Sequence, residues 1–334
     1  MVPRSADQPD SSFEALFERA NGLLYQQASK AQSAFEQLLA QTASDDHARR
    51  ARLHERLCIA TRIQGNYVEA RRHGDSTMSL YETCEDDAGM GRACVALGNI
   101  SWSEGDLLTA LAHYETALEL RQKHGDQRAI AGALGSIANI LSELNRIPEA
   151  RSRYELALNI YSRMGDERFT ARTYNNLGEC FLLLDETETA LKHCHIALAL
   201  GRRIDDRTDE PNVLINLGRI HARRREWQVA LDRLDEAAAT AVIGEDRRAE
   251  AEAMMYRAQL TEDRGREDRR YLKQAELYRQ EALALAEAIG ALPLCQQLHE
   301  HCAVAADRVG NKDKSARHWA IAREIKAAGS SVSS

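Results

Sequence analysis

The sequence lacks the hydrophobic segments that membrane and secreted proteins need. Among its 334 residues no apolar run approaches the ~18 residues of a transmembrane helix, and the first residues contain no apolar stretch of the kind found in signal peptides. The seven cysteines are odd in number and scattered through predicted helices, which favours reduced thiols over a disulfide framework. We therefore expect a cytoplasmic protein that does not contact a membrane.

Proline is also scarce, and the patterns of known catalytic sites are missing. Only five prolines occur and 44% of the residues are hydrophobic, with many alanines and leucines, which predicts an all-helical chain. There is no glycine-rich phosphate loop, no Ser-His-Asp order and no pair of carboxylates in an identifiable cleft. The net charge of −7 disfavours a surface for nucleic acid. The sequence thus predicts a protein that is not an enzyme, takes no cofactor and binds no nucleic acid.

What the sequence does contain is a pattern that returns every forty residues. A small residue stands in the middle of each first helix, at Cys58, Gly98, Ala138, Gly178, Gly218 and Ala258. An aspartate that can cap the next helix through its carboxylate recurs with the same period, at Asp46, Asp86, Asp126, Asp166, Asp206 and Asp246. A period of this length predicts a solenoid, because single helical hairpins cannot bury their apolar faces without stacking on their neighbours.

Several segments of these repeats have similar sequence motifs. They are Ala96-Leu97-Gly98-Asn99, Gly105-Asp106, Ala117-Leu118 and Asn175-Asn176-Leu177-Gly178. These motifs resemble those of the tetratricopeptide repeat (TPR) family in its forty-residue form. The resemblance implies an all-α fold, a right-handed α-α superhelical solenoid of about seven TPR-like helix-turn-helix repeats. It also implies a concave groove, lined by the first helix of each repeat, in which extended peptides or partner helices lie.

The repeats divide the chain into three parts. Residues 1–11 are polar and are expected to form a disordered lead, and residues 328–334 are expected to form a flexible tail. The TPR solenoid is expected over 12–327, with repeats that start near residues 12, 47, 87, 127, 167, 207, 247 and 292. In the repeat that starts near 247 the alanine pattern resumes five residues late, so a longer loop is expected at 264–270.

A polar stripe at helical spacing runs along each first helix, beside the apolar seam. In the family this face lines the groove, so its residues are the candidates for binding a peptide or partner segment. The candidates are Arg92, Asn99, Asn139, Arg172, Asn175, Asn176, Glu179, Asn212, Asn216, Arg219 and Arg223. Asparagine is a poor residue for the middle of a helix, and its amide offers the donors and the acceptor that can clamp a peptide backbone.

Two interpretations of this stripe stay open at the level of the sequence. Its asparagines either contact a ligand or hydrogen-bond to the neighbouring repeat and stiffen the stack. Its arginines either hold a carboxylate or form a ladder of internal salt bridges with glutamates such as Glu143 and Glu179. The first interpretation predicts that changing both Asn176 and Asn216 to alanine weakens ligand binding with little loss of stability.

Two groups of histidine and cysteine have spacings that raise the question of a metal site. Cys295, His299 and Cys302 share one helix face, as zinc ligands would, but they occupy columns of the apolar seam and no fourth ligand is evident. His193 and His195 point to different sides of their helix. We therefore expect buried structural residues at both places and no metal.

The sequence as a whole predicts a non-enzymatic TPR module that holds an extended peptide or partner segment in its groove, in signalling or regulation. Its repeats resemble those of bacterial signalling-protein sensory arms and of the adaptors that link G-protein subunits to the spindle machinery. One alternative is a structural spacer that self-assembles as a homodimer. Another is a sensory arm cut from a larger bacterial signalling protein, such as a diguanylate cyclase or a transcription regulator.

Overall fold

The computed structural model describes residues 11–265 and 270–331, which form sixteen α-helices and no strand. The first helices of successive pairs are α1 (Ser11–Gly22), α3 (His47–Ile63), α5 (Asp87–Ser103), α7 (Gln127–Glu143), α9 (Glu167–Leu183), α11 (Glu210–Arg223), α13 (Arg247–Gly265) and α15 (Leu292–Arg308). The second helices are α2 (Ala28–Gln41), α4 (Tyr67–Thr83), α6 (Leu107–His124), α8 (Ile147–Met164), α10 (Thr187–Arg203), α12 (Trp227–Ile243), α14 (Arg270–Ala288) and α16 (Lys312–Ser331). No helix in these two ranges combines the length and the apolar content that crossing a bilayer requires.

The chain divides into two compact units, Met1–Leu144 and Asn145–Ser334. Within each unit the two helices of a pair pack on each other, for example α5 on α6 and α9 on α10, and each second helix packs on the next first helix, as α4 does on α5. The predicted fold class, an all-α repeat of TPR-like hairpins, is therefore confirmed. The unit boundary falls between α7 and α8, so the continuity of one solenoid over 12–327 stays a prediction.

Aspartate caps define where most first helices begin. Five of the six predicted aspartates accept a hydrogen bond from the backbone N–H three residues later: Asp46, Asp86, Asp126, Asp166 and Asp246. Asp206 departs from the prediction, because it accepts instead from the N–H of Thr208 at 3.1 Å. The reason is Pro211, which lies in the first turn of α11 and delays the start of that helix to Glu210.

Most of the described turns between successive helices share one backbone conformation. A residue with a φ between 53° and 83° recurs in them, which is the left-handed region. Glycine does not always occupy it, since non-glycine residues hold this conformation at Glu85, Asn145, Asp185, Asp205, Arg225 and Glu245. An ordinary side chain in this region costs roughly 1 kcal/mol. The packing of the two flanking helices therefore imposes the turn, whatever residue stands there.

The seam between the two helices of a hairpin places a small residue against a larger one. A Cβ added at Gly98 on α5 would come within 2.8 Å of the ring of Tyr114 on α6. A Cβ added at Gly178 on α9 would likewise come within 2.5 Å of the sulfur of Cys194 on α10. Gly74 on α4 is closely packed against the next repeat instead, since a Cβ there would come within 2.6 Å of the side chain of Leu97 on α5. These glycines are thus fixed by close helix–helix approach.

The predicted ends and insertion fall partly outside the described residues. Residues 1–10 of the expected lead, 266–269 of the expected loop and 332–334 of the expected tail lie there. Ser11 already belongs to α1, and α16 continues to Ser331. The helix thus extends into a segment that the sequence predicted as a flexible tail, because the alanines and the lysine that precede the terminal serines are good helix formers.

Two histidine pairs occupy the same position in different hairpins. Nδ1 of His54 lies 2.9 Å from Nδ1 of His73, and Nδ1 of His299 lies 2.8 Å from Nδ1 of His318. Burial lowers the pKa of all four rings, to about 4 for His54 and for His73, where the neighbouring Arg72 adds to the effect. Each pair is therefore held by one neutral imidazole that donates to the other.

The His54–His73 pair predicts a loss of stability in weak acid. The folded pair takes up protons only near pH 4, whereas histidine in an unfolded chain titrates near pH ~6.5. The stabilising contribution is therefore complete above pH ~6.5 and falls as the pH drops towards 4, by up to ~1.4 kcal/mol per pH unit for each ring. Urea denaturation at a series of pH values measures this slope.

A matched variant isolates the pair from the other titrating groups. His54→Tyr reproduces the arrangement of the α9–α10 hairpin, where Tyr174 faces His193 with ring centroids 5.6 Å apart. We expect a shallower dependence of the unfolding free energy on pH in this variant than in the wild type. An unchanged slope would show that the pair does not control the acid response.

Candidate functional site

Several successive first helices contact each other within a unit. Helix α3 contacts α5 in the first unit, and α11 contacts both α9 and α13 in the second. Among the described residues, successive second helices within a unit make less contact than this. The polar stripe predicted from the sequence lies on these first helices, so its residues face one another between neighbouring repeats.

Helices α9 and α11 are joined by hydrogen bonds between residues of the stripe. Nδ2 of Asn216 donates to Oδ1 of Asn175 at 3.0 Å, and both side chains are buried. Nη1 of Arg219 donates to Oε1 of Glu179 at 2.7 Å and to Oδ1 of Asn216 at 2.9 Å. These four residues therefore bond to the neighbouring repeat, as the second interpretation of the stripe describes.

Arginines at the two ends of this stripe are also paired across repeats. Nε of Arg172 donates to Asp209 at 2.8 Å, and Nη2 reaches the other carboxylate oxygen at 3.2 Å, which makes a two-point contact. Nη1 of Arg223 lies 3.4 Å from Oδ1 of Asp185, and both side chains are exposed. The first pair fixes the start of α11 beside α9, while the second contributes little because water screens it.

Two amides on the same face are left without such a bond. Asn176 on α9 and Asn212 on α11 are half-buried and make no side-chain hydrogen bond with any other described residue. Asn176 lies between Arg172 and Glu179 on α9, and Asn212 lies one turn before Asn216 on α11. We call the surface around these two side chains the amide face. Its paired residues are rigid and its two unpaired amides offer donors and acceptors to a ligand.

An aromatic ring borders the amide face on α13. The guanidinium of Arg219 lies over the ring of Tyr256, 5.0 Å from its centroid. Burial raises the pKa of the Tyr256 hydroxyl, so this ring stays neutral. The cation is therefore held from two sides, by the ring and by Glu179.

In the first unit the predicted residues occupy different surroundings. Nε of Arg92 on α5 donates to Glu55 on α3 at 3.2 Å, and its Nη2 donates to the hydroxyl of Tyr81 at 2.9 Å. The Tyr81 hydroxyl donates to the same carboxylate at 2.8 Å. Oδ1 of Asn99 accepts from the hydroxyl of Tyr114 at 2.6 Å. Asn139 on α7 is half-buried and takes part in an interaction of its own.

A cavity of about 160 Å³ opens between α3 and α5 beside Arg92 and Asn99. We call it the basic cavity; its lining residues are Glu55, Cys58, Ile59, Arg62, Arg92, Val95, Ala96, Asn99 and Arg121. Sequence reasoning missed Arg62 and Arg121 because neither stands on the polar stripe, Arg62 being at the end of α3 and Arg121 on a second helix. Arg62 could have been identified from its position in the repeat, because it lies one helical turn after Cys58 on α3.

The cysteine and histidine groups weighed as metal ligands are placed in the helix seams. Cys295, His299 and Cys302 are buried on α15, and burial raises the pKa of the Cys302 thiol to about 11. Cys194 is buried on α10, and burial raises its pKa to about 12. Within residues 11–265 and 270–331 no three His, Cys, Asp or Glu side chains are grouped as a metal site would need.

The sequence profile of the tetratricopeptide repeat family matches residues 91–163 and 169–241. The chain contains tetratricopeptide repeats. The two TPR matches include α5, α9 and α11, which carry Arg92, the amide face and most of the other candidate residues. The resemblance read from the repeat wording is therefore confirmed. Among curated protein sequences, none matches this TPR chain.

Several solved structures share the fold of this TPR chain. A Rap protein complexed with Competence and Sporulation Factor is 14% identical, with a TM-score of 0.74 over 98% of this chain and 90% of the other. Aspartyl phosphate phosphatase F from Bacillus subtilis is 12% identical, with a TM-score of 0.68 over 97% and 96%. The Rap conjugation gene regulator of the plasmid pLS20, in complex with the Phr* peptide, is 12% identical, with a TM-score of 0.67 over 96% of both chains. At these identities the likeness shows the fold alone.

Proposed function

We propose that the chain is a TPR module that binds an extended peptide on the amide face and acts in signalling or regulation. The observation that carries the proposal is the contrast between the paired and the unpaired polar residues of α9 and α11. The side chains of Asn175, Asn216 and Arg219 form hydrogen bonds between repeats, whereas those of Asn176 and Asn212 form no hydrogen bond with a described residue. An amide without a bond to any described residue is suited to pair with a ligand backbone, and Asn176 has this property in the interior of α9, a position that disfavours asparagine.

The surroundings of the two amides favour a peptide over other ligands. Both charge signs are present at the face, since the paired Arg172 and Arg219 stand beside Asp209 and Glu179. A zwitterionic chain with alternating donors and acceptors fits such a surface, whereas a polyanion would meet the carboxylates. Two of the similar structures were solved with Competence and Sporulation Factor and with the Phr* peptide, which supports the same proposal.

The test is a change of the two unpaired amides. A peptide selected on the wild-type protein from a random-sequence phage library serves as the probe, and its affinity is measured by calorimetry. For Asn176→Ala with Asn212→Ala, the loss of two hydrogen bonds is expected to weaken binding by roughly thirtyfold, since each contributes ~1 kcal/mol. The melting temperature is expected to stay at or slightly above the wild-type value, because neither amide has a partner in the described fold.

Two further variants separate ligand contact from structural support. Asn159→Ala removes an asparagine that also makes no side-chain hydrogen bond among the described residues, but that lies exposed on the second helix α8. It is expected to leave the affinity unchanged and to add only the small gain in helix propensity that alanine brings. Asn216→Ala removes a buried partner of Asn175 and is expected to lower the melting temperature. If the double variant binds the peptide as the wild type does, the amide face is not the binding site.

A further inference from the structure

The basic cavity of the first unit presents hydrogen-bond donors and almost no acceptors. Its carboxylate, Glu55, is already occupied, since Oε2 accepts from Tyr81 and Arg92 and Oε1 lies 3.5 Å from Nη2 of Arg56. The carbonyl of Asn99 accepts from the Tyr114 hydroxyl, which leaves the NH₂ group of this amide for the cavity. A ligand that enters here meets N–H groups and must supply the acceptors itself.

Among the charged groups that line the cavity, Arg62 is the one that lacks a bonded partner among the described residues. Arg92 balances Glu55, and Arg121 is engaged elsewhere, since its Nη1 donates to the backbone oxygen of Ala129 at 2.7 Å. Arg62 is half-buried and has no hydrogen-bond or ion-pair partner among the described residues. A cation at the end of α3 is favoured by the helix dipole, but that effect does not require the guanidinium to line a cavity. The cavity therefore keeps one guanidinium without a bonded partner, in a chain whose net charge is −7.

The geometry points to a binding site for a carboxylate group attached to a short apolar chain, with Arg62 as its main contact. Guanidinium and carboxylate match in shape and bind through two parallel hydrogen bonds. The apolar part has its own surface, because Cys58, Ile59, Val95 and Ala96 form the rest of the lining. A volume of about 160 Å³ leaves room for one such group and excludes a folded partner. The site lies wholly within the first unit and does not depend on the amide face.

N-acetyl-leucine tests the site, because it combines a carboxylate with a short apolar side chain. N-acetyl-leucinamide is the matched compound without the negative charge. In saturation-transfer NMR titrations of the full chain we expect the acid to bind with a Kd on the order of 1 mM and the amide to show no binding. Succinate separates the two sources of such a group. Tighter binding of N-acetyl-leucine than of succinate indicates the carboxyl terminus of a peptide, and the opposite order indicates a free organic acid.

The variants follow from the contacts of the cavity. Arg62→Met keeps the length of the side chain and removes its charge, and it breaks no bond within the described fold; it is expected to weaken N-acetyl-leucine binding by roughly tenfold. Arg62→Lys keeps the positive charge but loses the planar guanidinium that can form two parallel hydrogen bonds. Its affinity for N-acetyl-leucine is expected to lie between those of the wild type and Arg62→Met. Arg19→Met, at an exposed arginine on α1, is the control and is expected to bind like the wild type. Equal binding of acid and amide, or an unaffected Arg62→Met variant, overturns the assignment.

Discussion

Replacing Gly98 with alanine is expected to destabilise the first unit, although alanine is the better helix former. The added Cβ would meet three atoms of the Tyr114 ring at 2.8, 3.0 and 3.1 Å. That ring is fully buried and its hydroxyl is bonded to Asn99, so it cannot move aside without losing contacts. Overpacking of this kind costs ~1–3 kcal/mol. Urea denaturation followed by circular dichroism measures the change.

The same substitution at Gly135 is the matched control. Gly135 also lies inside a helix of the first unit, α7, but a Cβ there would meet nothing within 4 Å. Gly135→Ala is therefore expected to stabilise the protein by roughly 0.5–1 kcal/mol through helix propensity alone. Opposite signs at the two glycines would establish that close approach, and not backbone freedom, fixes Gly98. A stabilised Gly98→Ala variant would contradict this.

Removing the guanidinium of Arg279 is expected to lower the stability of the second unit. Its side chain is 5% exposed and bonds to Glu262 at 2.7 Å and to Glu276 at 2.5 Å. In Arg279→Met these two carboxylates lose the buried cation that they share. Each carboxylate keeps a second cation, Arg308 for Glu262 and Lys314 for Glu276, so the expected cost is that of the lost charge-assisted hydrogen bonds of a buried guanidinium, ~1.5–3 kcal/mol. The midpoint of urea denaturation is expected to fall accordingly.

Arg308 supplies the control for this prediction, because it contacts the same carboxylate from the solvent side. Nη1 of Arg308 forms an ion pair with Glu262, and its side chain is 47% exposed. Arg308→Met is expected to change the unfolding free energy by no more than ~1 kcal/mol. Because both arginines pair with Glu262, the difference between the two variants measures the effect of burying the arginine side chain. Equal losses in the two variants would show that burial of Arg279 is not what makes it important.

The sequence predicts the helices and hairpins well because their determinants are local and recur in columns. Caps such as Asp86 and small residues such as Gly178 act within a few residues or across one hairpin, and a forty-residue period repeats them. The failure at Asp206 has a local cause as well, since Pro211 shifts the start of one helix. Helix α16 shows where composition misleads. The glycine and serines after Lys326 are typical of a flexible tail, yet the helix continues to Ser331.

The sequence predicts less about the candidate site. Which side chains form hydrogen bonds with each other depends on how neighbouring helices are aligned, and this alignment is not visible in the sequence. Asn176 and Asn216 stand on one stripe and look equivalent in the sequence, yet the structure buries Asn216 against Asn175 and leaves Asn176 without a bond to any described residue. The pair of Arg219 and Glu179 could have been predicted, since both hold the same column one period apart. Arg121 could not, because it reaches the basic cavity from a second helix.

The left-handed residue found in most of the described turns limits how this protein can change in length. A connection that reverses direction through one such residue has no spare backbone, so an inserted residue would rotate the following helix and turn its apolar stripe away from its neighbour. Whole blocks of forty residues, cut at matching turns such as Gly165 and Asp205, preserve both the reversal and the stripe. Such blocks are the natural units of exchange among these repeats, because duplication or loss of one would add or remove a hairpin without creating a new type of helix–helix contact.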